Sequence, residues 1–146
     1  MELSAATDFA RANHRSVLAT IRRNGRPQLS NVGHHVYSES LIRISITADR
    51  AKYHNLRREP WAALHVTQRD FFAYVVLEST AELSQVAERV DDDTVEELVT
   101  LYRDIAGEHD DWNAYRQAMV DERRVVIRLS PVRAYGMLNL PPPSGT

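Results

Sequence analysis

A small antiparallel β-barrel flanked by helices is the fold this sequence predicts, and three observations carry the prediction. Alternating apolar and polar residues recur in stretches of strand length, as in Leu41 to Ala48, where Ile42, Ile44 and Ile46 share one face and Arg43, Ser45 and Thr47 the other. Compact turn signals separate the stretches, the strongest being Asn24-Gly25 followed by Arg26-Pro27, because Asn-Gly supplies the positive backbone angles of a tight hairpin. Two helical segments stand together before the last strand, so six strands must pair mostly with their sequence neighbours. No repeat or linker divides the chain, and residues 1–146 form one domain with a tail, 137–146, that is loose at its end.

Taken in order, residues 5–13 form a short amphipathic helix that Asn13 ends. His14 to Arg23 is a strand with Val17, Ala19 and Ile21 on one face and Leu18 and Thr20 on the other. Strand two, Gln28 to Tyr37, is too polar for a core strand, and its Gln28, Ser30, Asn31, His34 and His35 need solvent or a ligand as partners. After the turn at Ser38-Glu39-Ser40, strand three runs from Leu41 to Ala48. Asp49 is placed to cap a short helix over about Arg50 to Arg58, which Pro60 stops. Trp61 to Thr67 is the next strand, and Phe71 to Val86 a long one with Phe72 and Tyr74 heading its polar face. Asp93 and Glu96 have the spacing of a capping box, and Val95, Leu98, Val99, Tyr102 and Ile105 form the core stripe of a helix that Gly107 ends. Asp110-Asp111 caps a second helix bearing Trp112, Tyr115 and Met119, and Arg123 to Tyr135 is the last strand.

Composition narrows the function. With 43% hydrophobic and 26% charged residues the chain can bury a core and is not a disordered tail. The absence of cysteine excludes disulfides, thiol catalysis and cysteine metal ligands, and no metal site is expected. The first residues lack a basic region followed by an apolar run, and no apolar stretch reaches spanning length, so the expected location is cytoplasmic, away from membranes. Residues 1–70 carry a balance of +5 and residues 71–146 one of −7. A basic half without any helix-turn-helix, zinc-finger or RNA-binding signature points to an anionic small molecule and away from nucleic acid.

The place for that anion is Ser45 to Arg58. Strand three's polar face, with Ser45 and Thr47, leads straight into Arg50 and Lys52 in the first turn of a helix, where cations oppose the helix dipole unless an anion, most often phosphate, sits on them. Of the chain's 18 Lys and Arg residues Lys52 is the single lysine, and a compact ammonium suits a point contact to phosphate.

A family resemblance extends the reading. The runs Ser16-Val17-Leu18-Ala19-Thr20, Gly25-Arg26-Pro27-Gln28-Leu29-Ser30-Asn31-Val32, Arg50-Ala51-Lys52, Asn55-Leu56-Arg57-Arg58, Asp91 to Glu96, Leu101-Tyr102-Arg103, Ile105 to His109 and Tyr115 to Met119 occur in order along nearly the whole chain. They resemble the actinobacterial flavin/deazaflavin oxidoreductases, in the branch of the pyridoxamine 5'-phosphate oxidase split-barrel superfamily that uses coenzyme F420. The resemblance implies a homodimeric six-stranded antiparallel split β-barrel with two cofactor sites at the subunit interface. It implies that Arg50 and Lys52 hold the cofactor phosphate beside Ser45, Ile46, Thr47, Ala51 and Asn55, and that Gln28, Leu29, Ser30, Asn31 and Val32 lie along the ring. It further implies that Phe72 and Tyr74 reach the partner's cofactor. Phe72 stands where members of the family carry Trp, which keeps ring stacking and loses an indole hydrogen bond, and Gly33-His34-His35 also departs from the family pattern.

The activity so implied is hydride transfer from C5 of the reduced deazaflavin to an electron-poor double bond of a small-molecule substrate. The cofactor does the difficult chemistry, so the protein's part is to hold and align. Water, His34 or Tyr74 completes the reaction with a proton. Two alternatives keep the same site: an FMN enzyme like the oxidase that makes pyridoxal phosphate, and a protein that carries cofactor without turning it over. The basic first half favours coenzyme F420, whose oligoglutamate tail is polyanionic and would meet Arg57 and Arg58.

Overall fold

The hairpin at Asn24-Gly25 starts the sheet. In the computed structural model, which describes residues 1–138, helix α1 (Leu3–Ala12) precedes strands β1 (Arg15–Ile21) and β2 (Pro27–Gly33), paired antiparallel from Arg15↔Gly33 to Ile21↔Pro27. At the turn only Gly25 takes a positive φ, +85°, while the Asn24 side chain accepts a hydrogen bond from the Arg26 N–H at 3.0 Å. Gly25 N–H donates to the Arg22 carbonyl and Arg22 N–H to that of Arg26, so three residues close the loop.

The expected second strand, Gln28 to Tyr37, is two strands. It breaks at His34, giving β2 and a four-residue β3 (His35–Ser38), and the count rises from six to seven with β4 (Leu41–Thr47), β5 (Trp61–Thr67), β6 (Tyr74–Leu83) and β7 (Arg124–Met137). The strands form one antiparallel sheet in the order β2-β1-β5-β6-β7-β4-β3. Laid flat, its end strands would stand roughly 29 Å apart at about 4.8 Å per strand. Yet β2 and β3 are joined through His34 alone, a reach of about 7 Å. The sheet therefore curls into a half-barrel whose two ends are consecutive in the chain.

Inside it, Leu18, Leu64, Leu77, Ile44 and Ile127 are buried together, with Ala6 and Ala10 of α1 and Leu56 of helix α2 (Ala51–Arg58) against them. The same alternation settles a face that the strand pattern left open. Leu18 and Thr20 turn into the core, and Val17, Ala19 and Ile21 face outward. Outside β4 and β7, helices α3 (Asp93–Ala106) and α4 (Trp112–Asp121) make a second small core in which Val126 meets Val95, Leu98, Val99 and Met119. Among the described residues no helix is long and apolar enough to cross a membrane.

Local expectations changed at element ends, each for a local hydrogen bond. Asp49 does not cap α2: it accepts the Thr47 hydroxyl, and Arg50 is the N-cap residue without a side-chain cap bond. The α3 cap is Asp92, not Asp93, and it accepts from Val95 N–H as well as from Glu88 and Arg89, while Glu96 turns away to pair with Arg116 at 2.5 Å. Asp111 does cap α4, accepting from Ala114 N–H, and Gly107 ends α3 with φ +81°. Ile105, placed in the core stripe, is 56% exposed. Strand β6 begins at Tyr74, so Phe71 and Phe72 belong to the preceding turn, where Phe71 has φ +75° and the Phe72 N–H is held by Asp70. The last strand continues to Met137; of the tail expected to be loose, 139–146 lies outside the described residues.

A register shift between Glu78 and Ser79, opposite Pro131, bends the long β6–β7 ladder. Farther along it Gly136 sits at φ +150°, and a Cβ there would lie 2.2 Å from the Tyr74 carbonyl oxygen. Two backbones approach where no side chain fits. Gly136→Ala should therefore destabilise the chain by about 2 kcal/mol or more, read as a lower urea midpoint with an unchanged slope.

Candidate functional site

Because β3 is short, it pairs only with the Leu41 to Arg43 end of β4, and among the described residues no strand lies on the outer edge of β4 beyond Arg43. Strand β2, at the other end of the sheet order, has no strand on its outer edge among the described residues. The two unpaired edges face one another across a cavity of about 430 Å³. From β2 it is lined by Ser30, Asn31, Val32 and Gly33, from β4 by Ser45, Ile46 and Thr47, and from the start of α2 by Arg50 and Lys52. Most residues expected to hold a cofactor are brought together here, from segments distant in sequence.

The chemistry of the cavity is that of an anion site. Arg50 and Lys52 make no salt bridge with a carboxylate among the described residues. Burial, and then the neighbouring charge of Arg50, push the Lys52 amine below its usual range, so the site is short of negative charge. Two buried polar atoms of lining residues, Ser30 Oγ and Arg124 Nε, have no hydrogen-bond partner among the described residues. Such atoms are costly unless a ligand or an ordered water completes them. The Thr47 hydroxyl is already given to Asp49, whose carboxyl it holds below the usual range, which leaves Ser45 and Ser30 as the free hydroxyls.

Arg124 was not among the expected site residues. It lies directly opposite Thr47 in the β4–β7 register, and Nη2 donates to Glu122 at 2.9 Å. Its one sequence signal is its place on the polar phase of the last strand with Arg128, legible only once β7 is known to pair with β4.

Other expected residues lie elsewhere. Asn55 is buried behind the cavity, donating to Thr20 Oγ1 at 3.1 Å and accepting from Arg58 at 3.2 Å, and so ties α2 to β1. Gln28 accepts from the same Thr20 at 3.2 Å. Ala51 is exposed, and Leu29 points outward, 63% exposed. Arg58 also donates to the Ile21 carbonyl, leaving Arg57, over the Tyr53 ring at 5.6 Å, as the exposed cation of the helix end.

Phe72 and Tyr74 do not line this chain's own groove. They border a separate cavity of about 340 Å³ with His65, Thr67 and Phe71, and Tyr74 stacks on His65 at 5.4 Å between ring centroids. That cavity opens on the sheet's outer face, where the registers align Val17 with His65 and Val76 with Tyr135, and beside them Ala19 with Ala63 and Leu29. His34 is 2% exposed at the β2–β3 corner. Its Nε2 lies 2.8 Å from the Ala10 carbonyl, which can only accept, so Nε2 carries the proton and Nδ1 accepts from Ser16 Oγ at 2.7 Å. The proton that made His34 a candidate donor is thus spent on α1.

The model of the family described as pyridoxamine 5'-phosphate oxidase matches residues 4–138. Among solved structures, the chain is similar to a protein described as F420 reductase, with 22% identity, a TM-score of 0.65 and coverage of 88% of this chain and 94% of that one. A conserved hypothetical protein from Mycobacterium tuberculosis superposes with a TM-score of 0.71 and 24% identity over 94% and 84% of the two chains. HutZ, the heme storage protein from Vibrio cholerae, does so with a TM-score of 0.67 and 17% identity over 94% and 96%. These likenesses establish the curled antiparallel half-barrel with flanking helices.

Burial lowers the His34 pKa below its usual 6.5, against the raising effect of the Ala10 bond, and burial lowers that of His35 in the same sense. The unfolded chain then takes up protons before the folded one does. Stability should be fully present above pH 6.5 and fall as the pH drops below it, by at most about 1.4 kcal/mol per pH unit for each group. Urea titrations at pH 7 and pH 5 check this, and the difference should shrink in His34→Gln.

Proposed function

Because this chain belongs to the pyridoxamine 5'-phosphate oxidase family, we propose that it is an oxidoreductase that holds coenzyme F420 in the groove between β2 and β4 and reduces a small organic acceptor. The observation that carries the reading is the convergence of Arg50, Lys52, Ser45 and two unpartnered polar atoms, Ser30 Oγ and Arg124 Nε, on one cavity. Its donor set fits a phosphate. Bound there, the reduced deazaflavin supplies the hydride. The chain's own part is positional: Lys52 and Arg50 fix the phosphate, the free backbone edge of β2 from Ser30 to Gly33 offers hydrogen-bonding groups along the ring, and the apolar body of Val32 lies beside it. Solvent or Tyr74 provides the completing proton, since the Nε2 proton of His34 is bonded to Ala10.

The exposed Arg57 beyond the phosphate end and the +5 balance of residues 1–70 support coenzyme F420, with its polyanionic tail, over FMN. The family's description supports FMN as the second reading. Absorbance after incubation with each cofactor, followed by gel filtration, separates the two; retention of FMN alone would overturn the first. With either cofactor, Lys52→Ala should leave the fold intact and weaken binding by about ten- to a hundredfold, the loss of one charge-assisted contact worth roughly 1.5 to 3 kcal/mol. Fluorescence titration measures it, and an unchanged dissociation constant would remove the phosphate site.

The working unit we propose is a homodimer joined through the outer face of β2, β1, β5, β6 and β7. Leu29, Tyr135 and Met137 are exposed there beside Val17, Ala19 and Ala63, an apolar surface of the kind a second copy covers. Phe72 and Tyr74 border that face and would complete the partner's groove. Cofactor binding and dimer formation are then linked, and occupancy should fall on dilution into a monomeric regime verified by sedimentation. Undiminished affinity there would show that one chain carries the whole site.

A further inference from the structure

Beyond the anion groove a second compartment of about 380 Å³ lies between the α3–α4 pair and the outer side of β4. It joins the groove through Gly33, Ser45 and Arg124, which line both. Its character differs. Leu101, Ile105 and Met119 give it apolar walls, and the rings of Tyr102 and Tyr115 stand in it 5.0 Å apart at 57°. Tyr115 is fixed by donating its hydroxyl to the Leu98 carbonyl at 3.0 Å, and burial pushes its pKa up to about 12, so it acts as a wall and not as an acid.

Two guanidinium groups border this apolar space, and that of Arg43 has hydrogen-bonding capacity not assigned to the groove. Arg43 lies 3.0 Å from Glu97 and under the Tyr37 ring at 4.9 Å, but Glu97 also takes bonds from Arg128 with both oxygens, and the buried Nη1 of Arg43 has no partner among the described residues. Arg124 is bonded to Glu122 through Nη2, and its buried Nε, without a partner among the described residues, is the donor already assigned to the phosphate. Flat apolar walls next to an under-used arginine fit an aromatic anion.

We propose that this compartment is the acceptor pocket and that it takes an aromatic, α,β-unsaturated carboxylate or its close equivalent, ring against Tyr102 and Leu101 and anionic end toward Arg43. Its assignment to the acceptor rests on the hydride-transfer reading above; its recognition of an aromatic anion does not. Reduction of such an acceptor adds a hydride, carrying two electrons, to the β carbon. The double-bond pair moves to the α carbon and takes a proton from solvent there, and the reduced deazaflavin is oxidised by the same two electrons. Negative charge that develops toward the carboxylate during this step meets the Arg43 guanidinium.

The test is binding to the full chain without cofactor, followed by NMR shifts on titration with trans-cinnamate and, as the uncharged counterpart, cinnamyl alcohol. Cinnamate should bind saturably and at least tenfold more tightly than the alcohol. Arg43→Gln and Ile105→Trp should each weaken it tenfold or more, the first by removing the anion's partner and the second by filling the mouth of the pocket. Lys52→Ala should leave it within twofold. Ile105 is exposed, so its variant decides the matter even if Arg43→Gln fails to fold. No saturable binding, equal binding of the alcohol, indifference to Ile105→Trp, or loss in Lys52→Ala would each overturn the pocket. Cinnamate binding that persists while coenzyme F420 fails to bind would keep the pocket and remove the cofactor reading instead.

Discussion

The structure depends on a closure constraint at His34. Strands at opposite ends of a seven-stranded sheet are consecutive in sequence, so the sheet has no choice but to curl, and one residue must turn the corner. His34 does so with its backbone N–H on the His14 carbonyl and both ring nitrogens engaged, one to α1 and one to β1. A buried imidazole fully hydrogen-bonded in its neutral form fixes the corner in three directions at once. The short β3 that follows stops pairing at Arg43, and the groove exists because of that early stop.

Into this gap the chain directs positive charge that it does not neutralise. Arg50 at the N-cap and Lys52 in the first turn stand where the helix dipole is itself positive, and no capping side chain softens the position. Placed so, they destabilise α2 slightly and raise the potential of the cavity. Asp49, adjacent in sequence, is turned to Thr47. Among the described residues no carboxylate pairs with either cation, and both are set on a helix end between two strands.

Much of this was legible in the chain before any fold was known. Alternation identified the strands because their inner residues, such as Ile42, Ile44 and Ile46, are in the barrel core while Arg43, Ser45 and Thr47 are not. The cluster from Ser45 to Lys52 is local, so it could be read directly. What could not be read was whatever depends on pairing across long sequence distance. The break at His34 leaves alternation almost undisturbed, since one residue can turn a corner without altering the pattern on either side. Arg124 enters the site only through the β4–β7 register, and Asn55 leaves it for Thr20, 35 residues away. Capping was misplaced by a residue at α2, where Asp49 is taken up by the Thr47 hydroxyl and no side chain caps the helix, and at α3, where Asp92 and not the adjacent Asp93 accepts the Val95 N–H.

That the chain's single lysine is Lys52 also bears on how the protein can be handled. Half-buried beside Arg50, its amine is deprotonated more readily than a surface lysine's and is the more nucleophilic for it. Amine-directed acylation, fluorescent tagging or immobilisation through lysine has only this side chain and the chain's α-amino group to react with. Coupling at Lys52 will therefore block the groove, whereas attachment through the α-amino group reacts away from it. A lysine-specific protease likewise has one place to cut, inside the first turn of α2, so a ligand seated there shields the chain's one cleavage point.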